Sequence, residues 1–319
     1  MKERVMLDNI NCRAYESPKE MISEAENNYH TKISEITDEL LSDSYRSMGK
    51  RIVFIAGPSG SGKTTTANLL SDSLNRRGYK SGVISLDMFY HDHSKFPKKA
   101  DGSYDYENIT AIDCEEIRNC IKCVLSGREY KLQKYDFSTQ SRNGEYSIIS
   151  AGSDGFVIVE GIHGLNPILI EGIDAEKIYR IFVSVSNGIS IDGVTEAVTG
   201  KDLRFVRRLS RDLLYRGAHA DKTISMWEDV LDGENKYLYP YKELADKKLN
   251  TFHSFEAGVL KPFVFRALEG CTADFNMVGG LLKRTTEFFK LVTEIPEELV
   301  PASSLIREFI GDGIYESLY

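Results

Sequence analysis

Residues Gly57-Pro58-Ser59-Gly60-Ser61-Gly62-Lys63-Thr64 constrain this chain more than any other stretch. They fit G-x-x-x-x-G-K-[ST] and lie between an apolar run and a helical pattern. Arg51 to Ala56 reads as a buried strand and Lys63 to Arg77 as an amphipathic helix. A glycine-rich turn at that junction lets backbone N–H groups point inward around phosphate oxygens, and the helix N-terminus adds its positive dipole end. Gly57, Ser59, Gly60, Ser61, Gly62, Lys63, Thr64 and Thr65 are the expected phosphate-binding residues. Lys63 is placed to reach the β- and γ-phosphates, and the Thr64 hydroxyl to ligate Mg²⁺. The expected cofactors are therefore ATP and Mg²⁺. A glycine-rich turn without a ligand is the bland alternative, and the flanking strand and helix weigh against it.

Downstream, apolar runs alternate with helical patterns, the signature of βαβ units and a mostly parallel sheet. Ser81 to Leu86, Phe156 to Val159 and Tyr179 to Val185 read as further strands. Asp113 to Leu125, Lys201 to Tyr215, Phe255 to Leu268 and Gly280 to Val292 read as helices. The expected fold class is α/β: a three-layer P-loop sandwich with a mostly parallel central sheet, substrate-binding inserts and a helical C-terminal part. Residues 1–48 form an acidic helical extension, 49–295 the main domain, and 296–319 a tail packed on it. In the extension, Ser17-Pro18-Lys19-Glu20 predicts a capping box, and Ile22, Ala25, Tyr29, Ile33, Ile36 and Leu40 form one apolar stripe. This helix is expected to dock on the body of the protein, with a dimer helix as the secondary reading. Two polar, aromatic stretches, Tyr90 to Ile109 and Tyr130 to Ser147, lack a clear period and read as irregular substrate-binding loops.

Charge and cysteine usage narrow the partners. The 319 residues carry a formal charge of -8, and such a surface repels phosphate backbones, so nucleic acid is not expected. No leader pattern or long apolar run is seen, which predicts a cytoplasmic chain without a membrane partner. Cys12, Cys114, Cys120, Cys123 and Cys271 are scattered and read as reduced thiols. Oligomeric state stays open, including a homo-oligomer.

Two acids sit where ligands bind in open α/β sheets, beyond the carboxyl ends of strands. Asp87 follows Ile84-Ser85-Leu86, and Glu160 follows Val157-Ile158-Val159. Either could be a helix cap or turn residue. Beside a phosphate cradle, Asp87 is assigned as the base that deprotonates an acceptor hydroxyl, and Glu160 to the metal shell, through water. Arg204, Arg207, Arg208 and Arg211 fall within one helix face roughly 100° wide, opposite Val206, Leu209 and Leu213. An all-arginine stripe in an acidic chain suits a clamp on transferred phosphate, with Arg216 just beyond it. A solvated charged face is the alternative.

Taken together, these motifs resemble the uridine kinase and phosphoribulokinase family of P-loop kinases, from about Met48 to Pro262. The specific pieces are Gly57 to Thr65, Ile84 to Asp87, Tyr104-Asp105-Tyr106 and Tyr135 to Arg142. They continue with Glu160-Gly161-Ile162-His163-Gly164-Leu165-Asn166-Pro167 and Arg207-Arg208 to Arg216-Gly217. The match is closest to a bacterial-type branch of uridine kinase-like nucleoside kinases, with Trp227, Gly233-Glu234, Ala245-Asp246 and Pro301 to Gly311 as its marks. The resemblance implies ATP- and Mg²⁺-dependent phosphorylation of a small-molecule hydroxyl, foremost the 5′-hydroxyl of uridine or cytidine. It implies Asp87 as catalytic base, Asp105 on ribose hydroxyls, and Tyr135, Phe137 and Gln140 around the base. His163 and Arg208 would touch substrate, and Arg211 and Arg216 the phosphates. Gln140 stands where many uridine kinases carry His, and Ala218 where they carry another arginine. A sugar-phosphate kinase of the phosphoribulokinase type and a non-catalytic nucleotide-binding regulator are the alternatives.

Overall fold

A computed structural model describes residues 5–100, 102–136, 139–216, 220–272 and 277–315. The chain opens with β1 (Val5–Met6), α1 (Leu7–Glu16), α2 (Pro18–Leu41) and α3 (Asp43–Ser47). The phosphate-loop unit follows as β2 (Ile52–Ala56), α4 (Lys63–Arg76) and β3 (Ser81–Ser85). Next come α5 (Cys114–Leu125), β4 (Tyr130–Asp136), β5 (Ser141–Ile149), β6 (Phe156–Glu160) and β7 (Ile178–Ser184). The short β8 (Ile189–Ser190) and β9 (Glu196–Val198) lead to α6 (Gly200–Arg216), α7 (Ala220–Tyr237) and β10 (Lys247–Asn250). The chain ends in α8 (Glu256–Leu268), α9 (Met277–Leu291) and α10 (Arg307–Ile310).

Five strands form one all-parallel sheet in the order β10-β7-β2-β6-β3. Every residue of β2 and β6 is buried, which explains why both read as continuous apolar runs rather than alternating ones. Alternation shows instead in which core each residue joins. Val53 and Ile55 pack with α2, α4, α6 and α8, while Ile52 and Phe54 pack with α5 on the opposite face. The result is three layers. Among the described residues, no helix is long and apolar enough to cross a membrane.

Both ends of the chain share the larger core. Ile22, Tyr29, Ile33, Ile36 and Leu40 of α2, and Leu305, Ile306 and Phe309 of the tail, are buried in it. Tyr29 Oη lies 2.7 Å from Thr66 Oγ1, tying α2 to α4. Pro18 takes the first helical position as predicted, but the Ser17 capping box does not form. Ser17 also terminates α1: its N–H donates to the Arg13 carbonyl at 2.9 Å, and its hydroxyl caps nothing. The 130–147 stretch is not an irregular loop. It is the antiparallel β4–β5 hairpin, with a register shift between Gln133 and Tyr135. Its polar residues hide it: on β4 only Leu132 and Tyr135 are buried, three positions apart across the register shift, so no period-2 alternation is written there. Strand β10 carries no apolar run either. Its Lys-Lys-Leu-Asn composition suits an edge strand, where lysines discourage further pairing.

His253 is buried beside α2 and α6, with Nδ1 2.9 Å from the Thr251 carbonyl oxygen. Burial, helped by the Arg207 charge, lowers its pKa from 6.5 to about 3. Between those values the unfolded chain binds a proton that the folded one does not, so this residue makes stability fall as pH falls. Glu107 and Glu160, raised from 4.5 to about 7, act in the opposite sense, costing stability as pH rises through that window. The difference between wild type and His253→Gln isolates the histidine. Denaturant unfolding should show wild type losing ground to the variant from pH 6.5 downward; a pH-independent difference would mean that His253 is not held neutral.

Candidate active site

The glycine loop joins β2 to α4, and its shape requires glycine at two positions. Gly60 and Gly62 have φ of 72° and 82°, in the left-handed region. A Cβ on Gly60 would also lie 2.7 Å from the Arg204 carbonyl oxygen, and one on Gly62 2.6 Å from Leu305 Cδ1. The loop's carbonyls take donors from behind it, two of them on α6. Arg204 Nη1 donates to the Ser59 carbonyl at 2.9 Å, and Arg207 Nη1 to that of Gly60 at 3.2 Å. Thr251 Oγ1 donates to the Ser61 carbonyl at 2.8 Å.

These contacts divide the arginine face. Arg204 forms a bidentate pair with Glu234 at 2.7 and 2.9 Å, and Arg207 Nε meets Glu256 Oε2 at 2.6 Å, all buried. Each guanidinium is thus neutralised and braces the loop from behind, so neither belongs to a phosphate clamp. Removing one partner of such a buried pair typically costs about 3–5 kcal/mol, because the other charge is left stranded. Arg208 and Arg211 differ: both line the cleft. Arg208 Nη1 donates to Ser59 Oγ at 2.9 Å, and Arg211 Nη1 lies 3.9 Å from Glu308 Oε1.

The cleft itself holds about 250 Å³ above the loop. Parallel register brings the two strand-end acids together, since Ser85 of β3 pairs with Glu160 of β6 and Asp87 follows two residues later. Burial raises the Glu160 pKa to about 7, opposed by the Lys63 charge and reinforced by that of Asp87. A buried carboxylate that resists ionisation has room for a cation's stabilisation. Lys63 Nζ meanwhile donates to the Pro58 carbonyl at 3.2 Å. Tyr135 of β4 and Gln140 at the hairpin turn line the far side with Tyr90, Phe96 and Tyr106.

Of the remaining residues singled out from sequence, Gly57 and Ser61 lie in the loop but do not line the cleft, and neither do Asp105 and His163. His163 is buried, its pKa pushed down to about 4 by burial, and it stacks edge-on to Tyr237 with ring centroids 6.0 Å apart. Phe137, Gly217 and Ala218 lie outside the described residues, as does the side chain of Arg216.

Three acidic residues at the loop were not singled out as site residues. Glu234 accepts from the Ser59 N–H at 2.9 Å. Glu308 accepts from Thr65 Oγ1 at 2.7 Å and lies 3.4 Å from Thr65 N, at the N-terminal end of α4 where the helix dipole favours an anion. Glu107 lines the cleft beside Asp87. Glu234 and Glu308 fall in stretches quoted only for the resemblance, and Glu107 follows such a stretch with no spacing signal of its own.

Residues 52–254, more than half of the chain, match the phosphoribulokinase / uridine kinase family. The chain belongs to that family. Among curated relatives, the uridine kinase of Lactobacillus helveticus is 29% identical over 196 residues, covering 61% of this chain and 83% of the relative. The uridine kinase of Deinococcus deserti is 28% identical over 196 residues, covering 61% and 84%. A solved structure of a possible uridine kinase from Bacillus stearothermophilus is 16% identical with a TM-score of 0.46, covering 69% of this chain and 98% of that one.

Proposed function

We propose that this member of the family is an ATP-dependent kinase acting on a nucleoside, foremost the 5′-hydroxyl of uridine or cytidine. The observation that carries this reading is that Lys63, Asp87, Glu160, Arg208 and Arg211 line one cleft over the glycine loop. Lys63 would hold the terminal phosphates, and Asp87 would orient the hydroxyl and take its proton. The acceptor oxygen then bonds to the γ-phosphorus as the bond to the β–γ bridging oxygen breaks, and ADP leaves. Arg208 and Arg211 would balance the charge spread over the transferred group.

Thr64 and Glu160 would hold Mg²⁺. That ion commonly takes one or two carboxylates and completes its shell with phosphate oxygens and water. The fit is good: Glu160 is a buried carboxylate on the cleft wall, and no group of three or more metal-type side chains forms a protein-only cage among the described residues. When bound, Mg²⁺ supplies positive charge against the phosphates.

The aromatic far wall of Tyr90, Phe96, Tyr106 and Tyr135 supports a flat base over a small anionic sugar. The test is ADP release with ATP and Mg²⁺ against uridine, cytidine, purine nucleosides and ribulose 5-phosphate. Release with a nucleoside is expected. Release only with ribulose 5-phosphate would replace the reading by a sugar-phosphate kinase, and no acceptor-dependent release would favour a regulator.

A further inference from the structure

The tail lies well beyond residue 254, where the family match ends, yet it reaches back to the glycine loop. Its backbone is fixed on both sides. Leu305 packs on the loop, where a Cβ on Gly62 would lie 2.6 Å from Leu305 Cδ1. Ser210 Oγ of α6 donates to the Phe309 carbonyl at 2.7 Å. Arg307 Nη2 donates to the carbonyls of Glu297 and Val300 at 2.9 and 2.8 Å. Leu305, Ile306 and Phe309 are buried, and between these anchors Glu308 turns into the cleft.

The carboxylate meets a helix end built for anions. The first hydrogen bond of α4 runs from the Thr66 N–H to the Gly62 carbonyl at 3.0 Å, so the helix itself offers no acceptor to the N–H groups of Lys63, Thr64 and Thr65. In a phosphate loop such donors serve the oxygens of a bound nucleotide. Here Glu308 Oε2 accepts from the Thr65 N–H at 3.4 Å and from Thr65 Oγ1 at 2.7 Å. The first turn of α4 carries no acid of its own, so its anion comes from the tail, 243 positions away. A helix cap elsewhere would be structural and nothing more. This one stands inside the 250 Å³ cleft above the loop.

The order of the phosphates decides which of them is affected. The loop lysine serves the β- and γ-phosphates, and the transferred group faces the acceptor base. Thr65, two residues further into the helix, is left for the α-phosphate. The same part of the cleft carries Tyr215, one turn beyond Arg211, and Tyr315, whose hydroxyl donates to Asp72 Oδ2 of α4 at 2.6 Å. A carboxylate and a phosphate cannot share one pair of donors, since like charges at contact repel strongly where water is excluded. With the backbone held, the Glu308 side chain is the part that can yield. Its Oε1 lies 3.9 Å from Arg211 Nη1, and a guanidinium has donors enough to take it.

We propose that Glu308 stands in the seat of the donor's α-phosphate, and that a nucleotide binds the loop by displacing it. The tail is thus a built-in competitor that holds nucleotide affinity down. This deepens the reading above on its donor side and rests on the glycine loop being a nucleotide site. Calorimetric titration of ADP and of pyrophosphate, each with Mg²⁺, into the full chain tests it. Pyrophosphate can fill the Lys63 end without reaching Thr65 and serves as the control. Glu308→Ala should bind ADP about tenfold or more tightly than wild type, the worth of hydrogen bonds to a charged group. Its pyrophosphate affinity should stay nearly unchanged. Glu308→Gln keeps an acceptor for Thr65 without the charge and should show a smaller gain in the same direction; it carries the test if the alanine variant does not fold. ADP binding seen only in the variants upholds the proposal as well. It is overturned if ADP affinity in the folded variants is unchanged or weaker, as a simple helix cap or a nucleotide-holding residue would have it. It is equally overturned if pyrophosphate tightens by the same factor as ADP, or if neither ligand binds any of the three proteins. Where ADP tightens but no acceptor drives its release, the kinase reading falls and the role of Glu308 stands.

Discussion

Asp87→Asn is expected to lower turnover by about 10²–10⁴-fold, the range in which a positioned general base contributes. Asparagine matches the shape of aspartate but cannot take a proton from the acceptor hydroxyl. The hydrogen bond from the Asp87 N–H to Ser85 Oγ at 3.4 Å is left alone by the side-chain substitution. Nucleotide binding should survive and even tighten. The negative charge of Asp87 disfavours ionisation of Glu160, so its removal makes the neighbouring carboxylate a better partner for a cation. Steady-state kinetics with saturating ATP and Mg²⁺, paired with direct ATP titration, separate the two effects. A rate within tenfold of wild type would remove Asp87 from the chemistry, and a parallel loss of ATP binding would make it part of the nucleotide site instead.

What could be read from sequence follows how far apart the interacting residues are. The glycine loop is contiguous, so its strand, turn and helix are written in one stretch from Ile52 to Arg76, and all three form as expected. Asp87 and Glu160 were legible because a parallel sheet places the ends of its strands side by side, whatever the distance in sequence. The four arginines of α6 do share one region of the helix, but their differing surroundings were invisible. Glu234 and Glu256, which neutralise Arg204 and Arg207, come from two other helices. The same holds for the acids at the loop: Glu234 reaches Ser59 across 175 positions and Glu308 reaches Thr65 across 243. No local pattern encodes such contacts. Asp105 and Glu107 show the finer limit, since they are two residues apart and only packing against Tyr237 and Gly233 decides which faces the cleft.

Lys63→Ala should abolish measurable phosphoryl transfer while the protein stays folded. Deleting a single preorganised donor at a developing charge commonly costs about 10²–10³ in kcat, and two features of this cleft push the loss further. Lys63 faces several acids, and its charge is what opposes burial at Glu160 and helps Arg208 do so at Glu107. Without it, bound phosphates lose a cation and meet an acidic wall with less compensation. Stability is a separate matter. The loop is held from behind by Arg204, Arg207 and Thr251, and the hydrogen bond of Lys63 Nζ among the described residues is a 3.2 Å contact to the Pro58 carbonyl. Its loss should therefore fall within about 0.5 kcal/mol, as for surface substitutions generally. Acceptor-dependent ADP release and a denaturant curve on the same preparation check both halves. Turnover near wild type would mean that the glycine loop does not hold the transferred phosphate, and a large stability loss would give Lys63 a structural part that the hydrogen bonding around the loop does not assign to it.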